Sequence, residues 1–224
     1  MKGDDILHYV ISDIHNDNER LQKLLKNIHF SERDHLFVLG DLFDRAEYNP
    51  DPLGVYFTIL KLGKNCTVIR GNHDQWLASY IMNYYQAPEK ARCKIEPYSY
   101  NAFELLKKRL TSVDMQELAK FIMDCPLQVE FSLNDEKYLF AHAMTSKPEI
   151  HMEDDYYLMG NADADKFMEE GVHGYISMCG HDNVGGNRIW KNVTGNVYMC
   201  DCGCGFRSGM LGCLCLETKE EIYV

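Results

Sequence analysis

Apolar runs alternate with amphipathic segments in the first third of the chain. The runs at residues 6–12, 35–39 and 66–70 predict buried β-strands, because each is short and rich in Val, Ile, Leu or Phe. Residues 17–29 repeat apolar side chains at the spacing of an amphipathic helix, and residues 53–62 predict a second helix. This β-α-β-α-β order predicts a parallel sheet with right-handed crossovers.

The middle of the chain changes character and is expected to be rich in helix. This block covers about 76–124 and includes predicted helices at 99–110 and 114–123. It could cap or flank a site formed by the first three strands. Residues 144–171 are acidic, and we expect loops and one short helix there.

A second group of strands follows the helix-rich block. Short apolar or alternating runs predict strands at 127–133, 137–141, 174–180, 197–201 and 211–217. We expect the last two to form an antiparallel pair, with the glycines of residues 203–205 in the turn between them. The length of 224 residues favours one domain over residues 1–224, with the helix-rich block as an insert.

Charge restricts the partners that this chain can bind. The formal net charge is -11, whereas non-specific binding to a nucleic-acid polymer needs a basic surface. An acidic protein that acts on phosphates therefore needs local positive charge, either from Arg or from metal ions. No apolar stretch approaches the ~18 residues that span a membrane, so no membrane partner is expected.

The cysteines indicate a reducing compartment. The chain carries nine of them, and the charged N-terminus at residues 1–5 does not resemble a signal peptide. We therefore expect a cytoplasmic protein with free thiols. Two groups have period-two spacing, which favours buried packing on a strand face over a zinc site with Cys-x-x-Cys pairs. These groups are Cys200, Cys202 and Cys204, and Cys213 and Cys215.

Side chains that can bind metals follow five of the predicted strands. They are Asp13, His15, Asp41, Asn72, His142 and His181. Functional residues of α/β folds collect at the carboxyl ends of such strands. Two carboxylates, three imidazoles and one amide suit divalent Mn, Fe or Zn better than calcium. Six ligands exceed one tetrahedral site and favour two ions bridged by Asp41, with a shared water acidified to hydroxide.

The order of these motifs resembles that of the calcineurin-like metallophosphoesterases. The motifs are Asp13-Ile14-His15, Gly40-Asp41-Leu42-Phe43-Asp44-Arg45, Gly71-Asn72-His73-Asp74, His142 and Gly180-His181. The second motif is similar to that of the phosphoprotein-phosphatase branch, which includes bacterial and lambda-type serine/threonine protein phosphatases and bis-nucleoside tetraphosphatases. The resemblance implies an α/β fold, a four-layer α/β/β/α sandwich of two mixed sheets with the metal site at one end.

The resemblance also implies a role for each motif residue. One metal ion would be held by Asp13, His15 and Asp41, and the other by Asp41, Asn72, His142 and His181. We expect Mn in both places, with Fe or Zn as alternatives. His73 would be the general acid, oriented by Asp44, and the phosphate would be bound by Arg45, Asn72 and His73. The bridging hydroxide would attack phosphorus in line, without a phosphoenzyme.

The sequence departs from the family pattern in three places. Ser12 and Asn16 stand where glycines are usual, and Asp74 stands where protein phosphatases often have Glu. Asn161 occupies the place where related phosphatases usually have an arginine that clamps phosphate. Either this second clamp is absent, or Arg188 or Arg207 replaces it.

Three functions are compatible with these motifs. The leading hypothesis is a protein serine/threonine phosphatase with a phosphorylated protein or peptide as substrate. The alternative is a bis-nucleoside tetraphosphatase or another nucleotide phosphohydrolase, which an aromatic platform beside the site would favour. Candidates for that platform are Trp76, Tyr84, Tyr85, Tyr156 and Tyr157. The third is a metal-binding scaffold without catalysis, against which the intact catalytic motif residues argue.

Overall fold

Two five-stranded sheets lie at the centre of the structure, a computed structural model that describes residues 6–224. The strands are β1 (His8–Ile11), β2 (His35–Val38), β3 (Cys66–Val68), β4 (Gln128–Leu133), β5 (Glu136–Ala141), β6 (Ile176–Cys179), β7 (Trp190–Lys191), β8 (Val197–Met199), β9 (Gly212–Cys215) and β10 (Glu221–Tyr223). The helices are α1 (Asn18–Asn27), α2 (Pro52–Leu62), α3 (Asn72–Gln86), α4 (Glu89–Arg92), α5 (Ala102–Lys107), α6 (Ser112–Asp124), α7 (Asp154–Met159) and α8 (Ala164–Glu170).

Both sheets are mixed. The first has the order β10-β9-β1-β2-β3, and its strands β1, β2 and β3 are parallel, as the βαβ pattern predicts. Strands β9 and β10 extend this sheet in antiparallel fashion. The second sheet has the order β4-β5-β6-β8-β7, with a parallel centre and an antiparallel pair at each edge.

Period-two alternation in the strands explains the layers. In β1, Tyr9 and Ile11 belong to a buried cluster formed with helices α1, α2, α3, α5 and α6. Val10, between them, belongs to another cluster with Phe140 and Met178 of the second sheet. The outer face of that sheet packs against α8 through Phe167. The four-layer α/β/β/α sandwich is therefore confirmed.

Local sequence also explains how the helices begin. The side chain of Asp17 accepts a hydrogen bond from Arg20 N at 2.9 Å and caps α1, whose Leu21 and Leu24 are buried. Helix α3 starts at Asn72, directly after the turn that follows β3. The start of this helix therefore carries residues of the predicted site, and its remainder opens the helix-rich stretch.

The predicted pairing of the last two strands is wrong. The strand predicted at 197–201 is β8, which pairs in parallel with β6 in the second sheet. The strand predicted at 211–217 is β9, which pairs antiparallel with β1 and β10 in the first sheet. The intervening segment crosses from one sheet to the other. Alternation identifies a strand and its buried face, but it carries no information about the neighbouring strand.

Smaller differences concern short elements. The helix predicted at 99–110 is confined to α5, and the acidic region contains two short helices, α7 and α8. The edge strands β7 and β10 are too short to give a pattern. The expectation that the N-terminus is not a signal peptide rests on residues 1–5, which lie outside the described part of the chain. That the chain forms a single domain with an insert stays a prediction.

Membrane-spanning helices were not expected. Within residues 6–224, no helix combines the length and the apolar character that a bilayer crossing needs.

Candidate active site

The six predicted metal ligands meet where the strands of both sheets end. They follow β1, β2, β3, β5 and β6, and all but His181 are buried to at least 99%. The turns that carry them are strained, because several non-glycine residues adopt positive φ angles. These residues include Asp13 (53°), His15 (49°), Asp41 (53°), Asp44 (71°), Arg45 (57°) and His181 (67°). Such strain often accompanies functional sites.

Asp41 lies at the centre of the cluster. Its Oδ2 atom is 3.7 Å from His15 Nε2 on one side and 3.4 Å from His142 Nε2 on the other. Asp13 lies on the side of His15, with Oδ1 at 3.6 Å from His15 Nε2. The Oδ1 atom of Asp41 accepts a hydrogen bond from His73 N at 2.9 Å, which leaves Oδ2 facing both imidazoles. The carboxylate therefore faces two groups of potential ligands at once.

The second group surrounds the amide of Asn72. Its Oδ1 atom is 2.8 Å from His142 Nε2 and 3.1 Å from His181 Nδ1. The backbone N–H of His181 donates to Asp13 Oδ2 at 3.1 Å and so ties the two groups together. A Cβ atom on Gly71, the residue before Asn72, would lie 2.2 Å from Asp41 Oδ1. Glycine at this position is therefore required for the close approach of two motif loops.

Backbone carbonyls hold two of the imidazoles in place. The Nδ1 atom of His15 lies 3.0 Å from Phe43 O, and that of His142 lies 2.7 Å from Leu39 O. If Nδ1 donates in each contact, the lone pair of Nε2 faces Asp41. This is the arrangement of a metal-binding histidine with an outer hydrogen bond.

Burial and neighbouring charges shift the titration of the cluster. Burial lowers the pKa of His15 to about 4, and burial with the neighbouring His142 lowers the pKa of His181 to about 4. Burial also opposes charge on His142, but the carboxylates of Asp41 and Asp13 outweigh it and raise its pKa to about 10. The imidazoles of His142 and His15 hold the pKa of Asp41 well below its usual range despite its burial. An anionic Asp41 together with the neutral imidazoles of His15 and His181 suits a divalent cation.

The donor set fits metal ions. Oxygen and nitrogen ligand atoms of Asp13, Asp41 and His142 lie within 4.8 Å of one another. Among the buried polar atoms that lack a hydrogen-bond partner in residues 6–224 are Asp13 Oδ1 and His15 Nε2. Buried polar atoms are otherwise almost always paired, so these two are available to a cation.

His73 lies beside the cluster and contacts a buried carboxylate. Its Nδ1 atom is 3.3 Å from Asp44 Oδ2, and its Nε2 atom is buried without a partner in the described chain. The hydroxyl of Tyr98 donates to the same Oδ2 atom at 2.5 Å. Burial raises the pKa of Asp44, whereas the hydrogen bonds from His73 and Tyr98 lower it. Tyr98 therefore helps to keep Asp44 in the form that can orient His73.

Two aromatic rings flank His73. The centroids of Trp76 and Tyr100 lie 4.8 and 4.6 Å from that of the imidazole. Their own planes are almost parallel, with an angle of 2° and a centroid distance of 6.3 Å. Trp76 is 39% exposed, so an aromatic face is open to solvent beside the imidazole. Of the predicted platform residues, Trp76 alone has a ring contact with a predicted site residue.

The arginines considered as phosphate ligands lie in different parts of the structure. Arg45 is half-buried, and its charge contributes to the lowered pKa of His15 and His181, so it lies near both groups of ligands. The guanidinium of Arg188 lies over the ring of Tyr223 at 5.2 Å from its centroid. Arg207 lines a pocket that also contains Asp17. Asn161 accepts a hydrogen bond from Asp163 N at 2.9 Å and carries no charge.

Sequence reasoning missed four residues of the site. Tyr98 lies directly before the helix predicted at 99–110 and Tyr100 lies within it, and no sequence signal links either residue to the site. Asp74 was noted only as a departure, but its carboxylate accepts backbone hydrogen bonds from Leu42 at 2.9 Å and Gly71 at 3.1 Å, which joins two motif loops. Asp201 is buried and contributes to the raised pKa of Asp13. Its position as the last residue of the strand predicted at 197–201 is a signal that could identify it.

The cysteines are free, and those of both period-two groups are buried. Cys213 and Cys215 lie on one face of β9, in the cluster beneath the helices. Cys204 belongs to that cluster as well, whereas Cys200 and Cys202 lie between the sheets. The packing role is consistent with this burial. Among residues 6–224, no cysteine belongs to a group of metal-binding side chains.

A curated sequence relative matches about half of the chain. The symmetrical bis(5'-nucleosyl)-tetraphosphatase of Tolumonas auensis is 30% identical over 123 residues, which cover 54% of this chain and 39% of that protein. The chain spans about half or less of the length of the curated relatives that it matches first.

Solved structures match the whole fold. A putative diadenosine tetraphosphatase superposes with a TM-score of 0.66 at 17% identity and covers 100% of this chain and 95% of its own. A serine/threonine phosphatase from Saccharomyces cerevisiae, described as similar to human PP5, gives a TM-score of 0.59 at 14% identity, over 98% of this chain and 79% of its own. At these identities the likeness concerns the fold alone.

A family model matches most of the chain. The model of the calcineurin-like phosphoesterases matches residues 8–201. This stretch begins at β1 and contains all six residues of the cluster as well as His73, Asp44 and Arg45. Since it covers most of the chain, the protein belongs to the calcineurin-like phosphoesterase family.

Proposed function

We propose that this phosphoester hydrolase acts on nucleotides and cleaves dinucleoside polyphosphates. The observation that carries the proposal is the ring of Trp76, which is 39% exposed, contacts His73 and is almost parallel to the ring of Tyr100. Aromatic rings bind nucleobases by stacking. The name of the Tolumonas auensis relative, a symmetrical bis(5'-nucleosyl)-tetraphosphatase, supports the same substrate class.

The proposed metal ligands form two groups around Asp41. The family uses a dinuclear centre of divalent metal ions. We assign Asp13, His15 and Asp41 to one ion, and Asp41, Asn72, His142 and His181 to the other. When bound, the ions supply Lewis-acid polarisation of the phosphoryl group and acidify water for attack. Divalent Mn is our first expectation, and Fe and Zn accept the same ligands.

His73 is proposed as the general acid. Nδ1 of His73 faces Asp44 Oδ2 at 3.3 Å, so its Nε2 atom is left to carry a proton toward the leaving oxygen. As water attacks phosphorus in line, the bond from phosphorus to the leaving oxygen breaks and His73 protonates that oxygen. Asp44 stabilises the charged imidazole, and Tyr98 holds Asp44. Trp76 and Tyr100 fix the ring of His73 from two sides.

Arg45 and Asn72 are proposed to bind the phosphoryl oxygens. The Arg45 side chain makes no hydrogen bond or ion pair with another residue of the described chain, and a guanidinium can donate to two phosphate oxygens. Asn72 has a buried Nδ2 atom without a partner in residues 6–224, because its Oδ1 atom faces the two imidazoles. Its amide can therefore serve a metal through oxygen and a phosphate through nitrogen.

Protein serine/threonine phosphatase activity, the leading hypothesis from the motifs, is less well supported. The likeness to the yeast phosphatase concerns the fold alone. The curated relatives favour the nucleotide alternative, and the exposed ring of Trp76 beside the proposed general acid offers a surface on which a nucleobase can stack. A catalytically inactive scaffold would not need the contacts that join Tyr98, Asp44 and His73.

Steady-state hydrolysis with Mn²⁺ tests the proposal. The substrates are diadenosine tetraphosphate, a phosphothreonine peptide and a phosphotyrosine peptide, compared by kcat/KM. We expect the dinucleotide to be preferred by about tenfold or more, because stacking of one base contributes about 1–3 kcal/mol. Preference for either peptide would overturn the nucleotide proposal. Absence of turnover with two bound metal ions would support the scaffold.

A variant of the aromatic face provides a sharper control. Trp76→Ala should lower kcat/KM for diadenosine tetraphosphate more than that for p-nitrophenyl phosphate. Phe57→Ala removes another exposed aromatic side chain, 54% accessible and on α2, and should alter neither value. Equal losses on both substrates in Trp76→Ala would mean that the ring only supports His73.

A further inference from the structure

A pocket lies next to the loop that carries His15, one of the proposed metal ligands. It has a volume of about 520 Å³, and its walls include Arg20, Lys23, Tyr48, Phe206 and Arg207. Gly205 separates it from the cluster, since a Cβ atom at Gly205 would lie 2.7 Å from His15 Cβ. The pocket is therefore directly behind the loop that carries one of the proposed metal ligands.

The loop of Arg45 leads from the active site to this pocket. At one end, Asp44 contacts His73. At the other end, Glu47 N donates to Gly205 O at 2.9 Å, and Tyr48 lines the pocket wall. Arg45 lies between these two ends. The loop of Arg45 therefore connects the candidate active site with the wall of the pocket at Tyr48.

The pocket concentrates positive charge in an acidic protein. The chain has a formal net charge of -11, but the side chains that line this pocket include three cations and two carboxylates, Asp17 and Glu19, with Val224 at the same wall. Asp17 is already paired with Arg20 at 2.8 Å. Lys23 and Arg207 form no ion pair within residues 6–224, so both remain available to an anion.

Two aromatic rings are exposed at the same place. Tyr48 is 62% and Phe206 is 42% accessible to solvent. The guanidinium of Arg207 lies 5.7 Å from the centroid of the Tyr48 ring. Glu47 accepts a bond from the backbone N–H of Arg207 at 3.4 Å and makes no ion pair with its guanidinium. Exposed rings beside unpaired cations match a ligand that has both a flat base and phosphates.

We propose that this pocket binds the second nucleoside of a dinucleoside polyphosphate. Arg207 and Lys23 hold a distal phosphate, and Tyr48 and Phe206 stack against the base. The inference rests on the proposed function, because it assigns the part of the substrate that lies beyond the reacting phosphate. It also assigns to Arg207 the phosphate contact that Asn161 cannot make.

Binding of ADP to the Mn²⁺-loaded protein tests the pocket directly. ADP carries one base and two phosphates, and titration calorimetry gives its Kd without turnover of the dinucleotide. Arg207→Ala should weaken ADP binding about tenfold or more, the size expected for one charge-assisted hydrogen bond. Tyr48→Ala should weaken ADP but not pyrophosphate, because pyrophosphate has no base to stack. Both side chains are exposed, so these variants should fold.

Arg188→Ala is the matched control. It removes an arginine that also lies over a tyrosine ring, at 5.2 Å from Tyr223, outside the pocket. Its Kd for ADP should equal that of the wild type. Equal Kd values in the Arg207, Tyr48 and Arg188 variants would overturn the proposal, as would a wild-type protein that does not bind ADP.

Kinetics separate this inference from the proposed function. The ratio of kcat/KM for diadenosine tetraphosphate to that for p-nitrophenyl phosphate should fall about tenfold in Arg207→Ala, since only the longer substrate reaches the pocket. If the wild type prefers the dinucleotide and this ratio does not change, the pocket assignment fails and the proposed function stands. If the wild type prefers phosphopeptides, the proposed function fails, and the ADP titration still decides whether the pocket binds a nucleotide.

Discussion

Tyr98→Phe removes one hydroxyl from the contact that orients the proposed general acid. The hydroxyl donates to Asp44 Oδ2 at 2.5 Å, the same atom that faces His73 Nδ1. Phenylalanine retains the ring, which packs against Tyr80 at 5.0 Å and Tyr100 at 5.8 Å between centroids. The change is therefore confined to a single hydrogen bond.

The expected magnitude follows from the charge and burial of Asp44. A hydrogen bond to a charged group contributes about 1.5–3 kcal/mol, and about 1.4 kcal/mol corresponds to tenfold in rate. Burial raises the pKa of Asp44, and the hydrogen bonds from His73 and Tyr98 oppose that shift. Without the Tyr98 hydroxyl, the pKa of Asp44 rises further and its hold on His73 weakens. We expect kcat to fall about tenfold for substrates whose leaving group needs protonation by the general acid.

A comparison of two aryl phosphates with different leaving groups measures the contribution of the general acid to kcat. Phenolate leaves less readily than p-nitrophenolate and depends more on protonation by His73. In Mn²⁺-loaded Tyr98→Phe, kcat for phenyl phosphate should therefore fall about tenfold, and kcat for p-nitrophenyl phosphate should fall much less. Tyr80→Phe is the control, because its hydroxyl donates to Glu96 O at 3.0 Å, away from Asp44.

Equal losses on the two aryl phosphates would refute the reasoning, because a general structural defect does not depend on the leaving group. An unchanged kcat for phenyl phosphate would also refute it. In that case, the contact of Tyr98 with Asp44 would stabilise the fold without an effect on the proton of His73. Thermal unfolding of the variant separates these two outcomes from simple loss of folded protein.

Three further predictions concern the acid, the metal ions and the stability of the fold. His73→Ala should lower kcat for phenyl phosphate by about 10²–10⁴-fold while both metal ions remain bound, as measured by elemental analysis; unchanged turnover would remove His73 from the mechanism. Asp41→Asn should weaken both ions, because one carboxylate faces both groups of ligands, and full retention of one ion would contradict a bridging position. Burial and the neighbouring His8 lower the pKa of His35, so the unfolded chain binds a proton there more readily than the folded protein. The stability linked to His35 is therefore present above about pH 6.5 and is lost as the pH falls toward the folded pKa. The urea midpoint should drop between about pH 7.5 and 5.5 by more in the wild type than in His35→Gln, and equal drops would contradict this reasoning.

Much of the site follows from local sequence. Asp13, Asp41 and Asn72 each follow a short apolar run, and parallel strands place the residues at their carboxyl ends along one edge of the sheet. His142 and His181 follow strands β5 and β6 of the second sheet and complete the cluster around Asp41 and Asn72. The residue types at the strand ends were therefore enough to predict that these side chains lie close together.

The contacts around His73 depend on segments that are distant in the chain. Tyr98 and Asp44 are 54 positions apart. A helix is predicted over 99–110, but α5 begins only at Ala102. Tyr98 and Tyr100 are instead positioned by ring contacts with Tyr80 and Trp76 of α3. The pocket at Arg207 likewise forms only because the loop after β8 passes beside the loop of Arg45.

Local patterns in the chain are sufficient to predict the longer strands and helices, the alternation of buried faces in the strands, and the residue types that stand at the strand ends. These features depend on neighbours within a few residues, whose apolar spacing and turn chemistry act locally. The tertiary structure alone decided that β8 and β9 belong to different sheets, that Tyr98 reaches Asp44, and that Arg207 rather than Arg188 lines a pocket beside the site. Such contacts depend on how distant segments pack together, and no local pattern specifies the partner of a strand or of an exposed arginine.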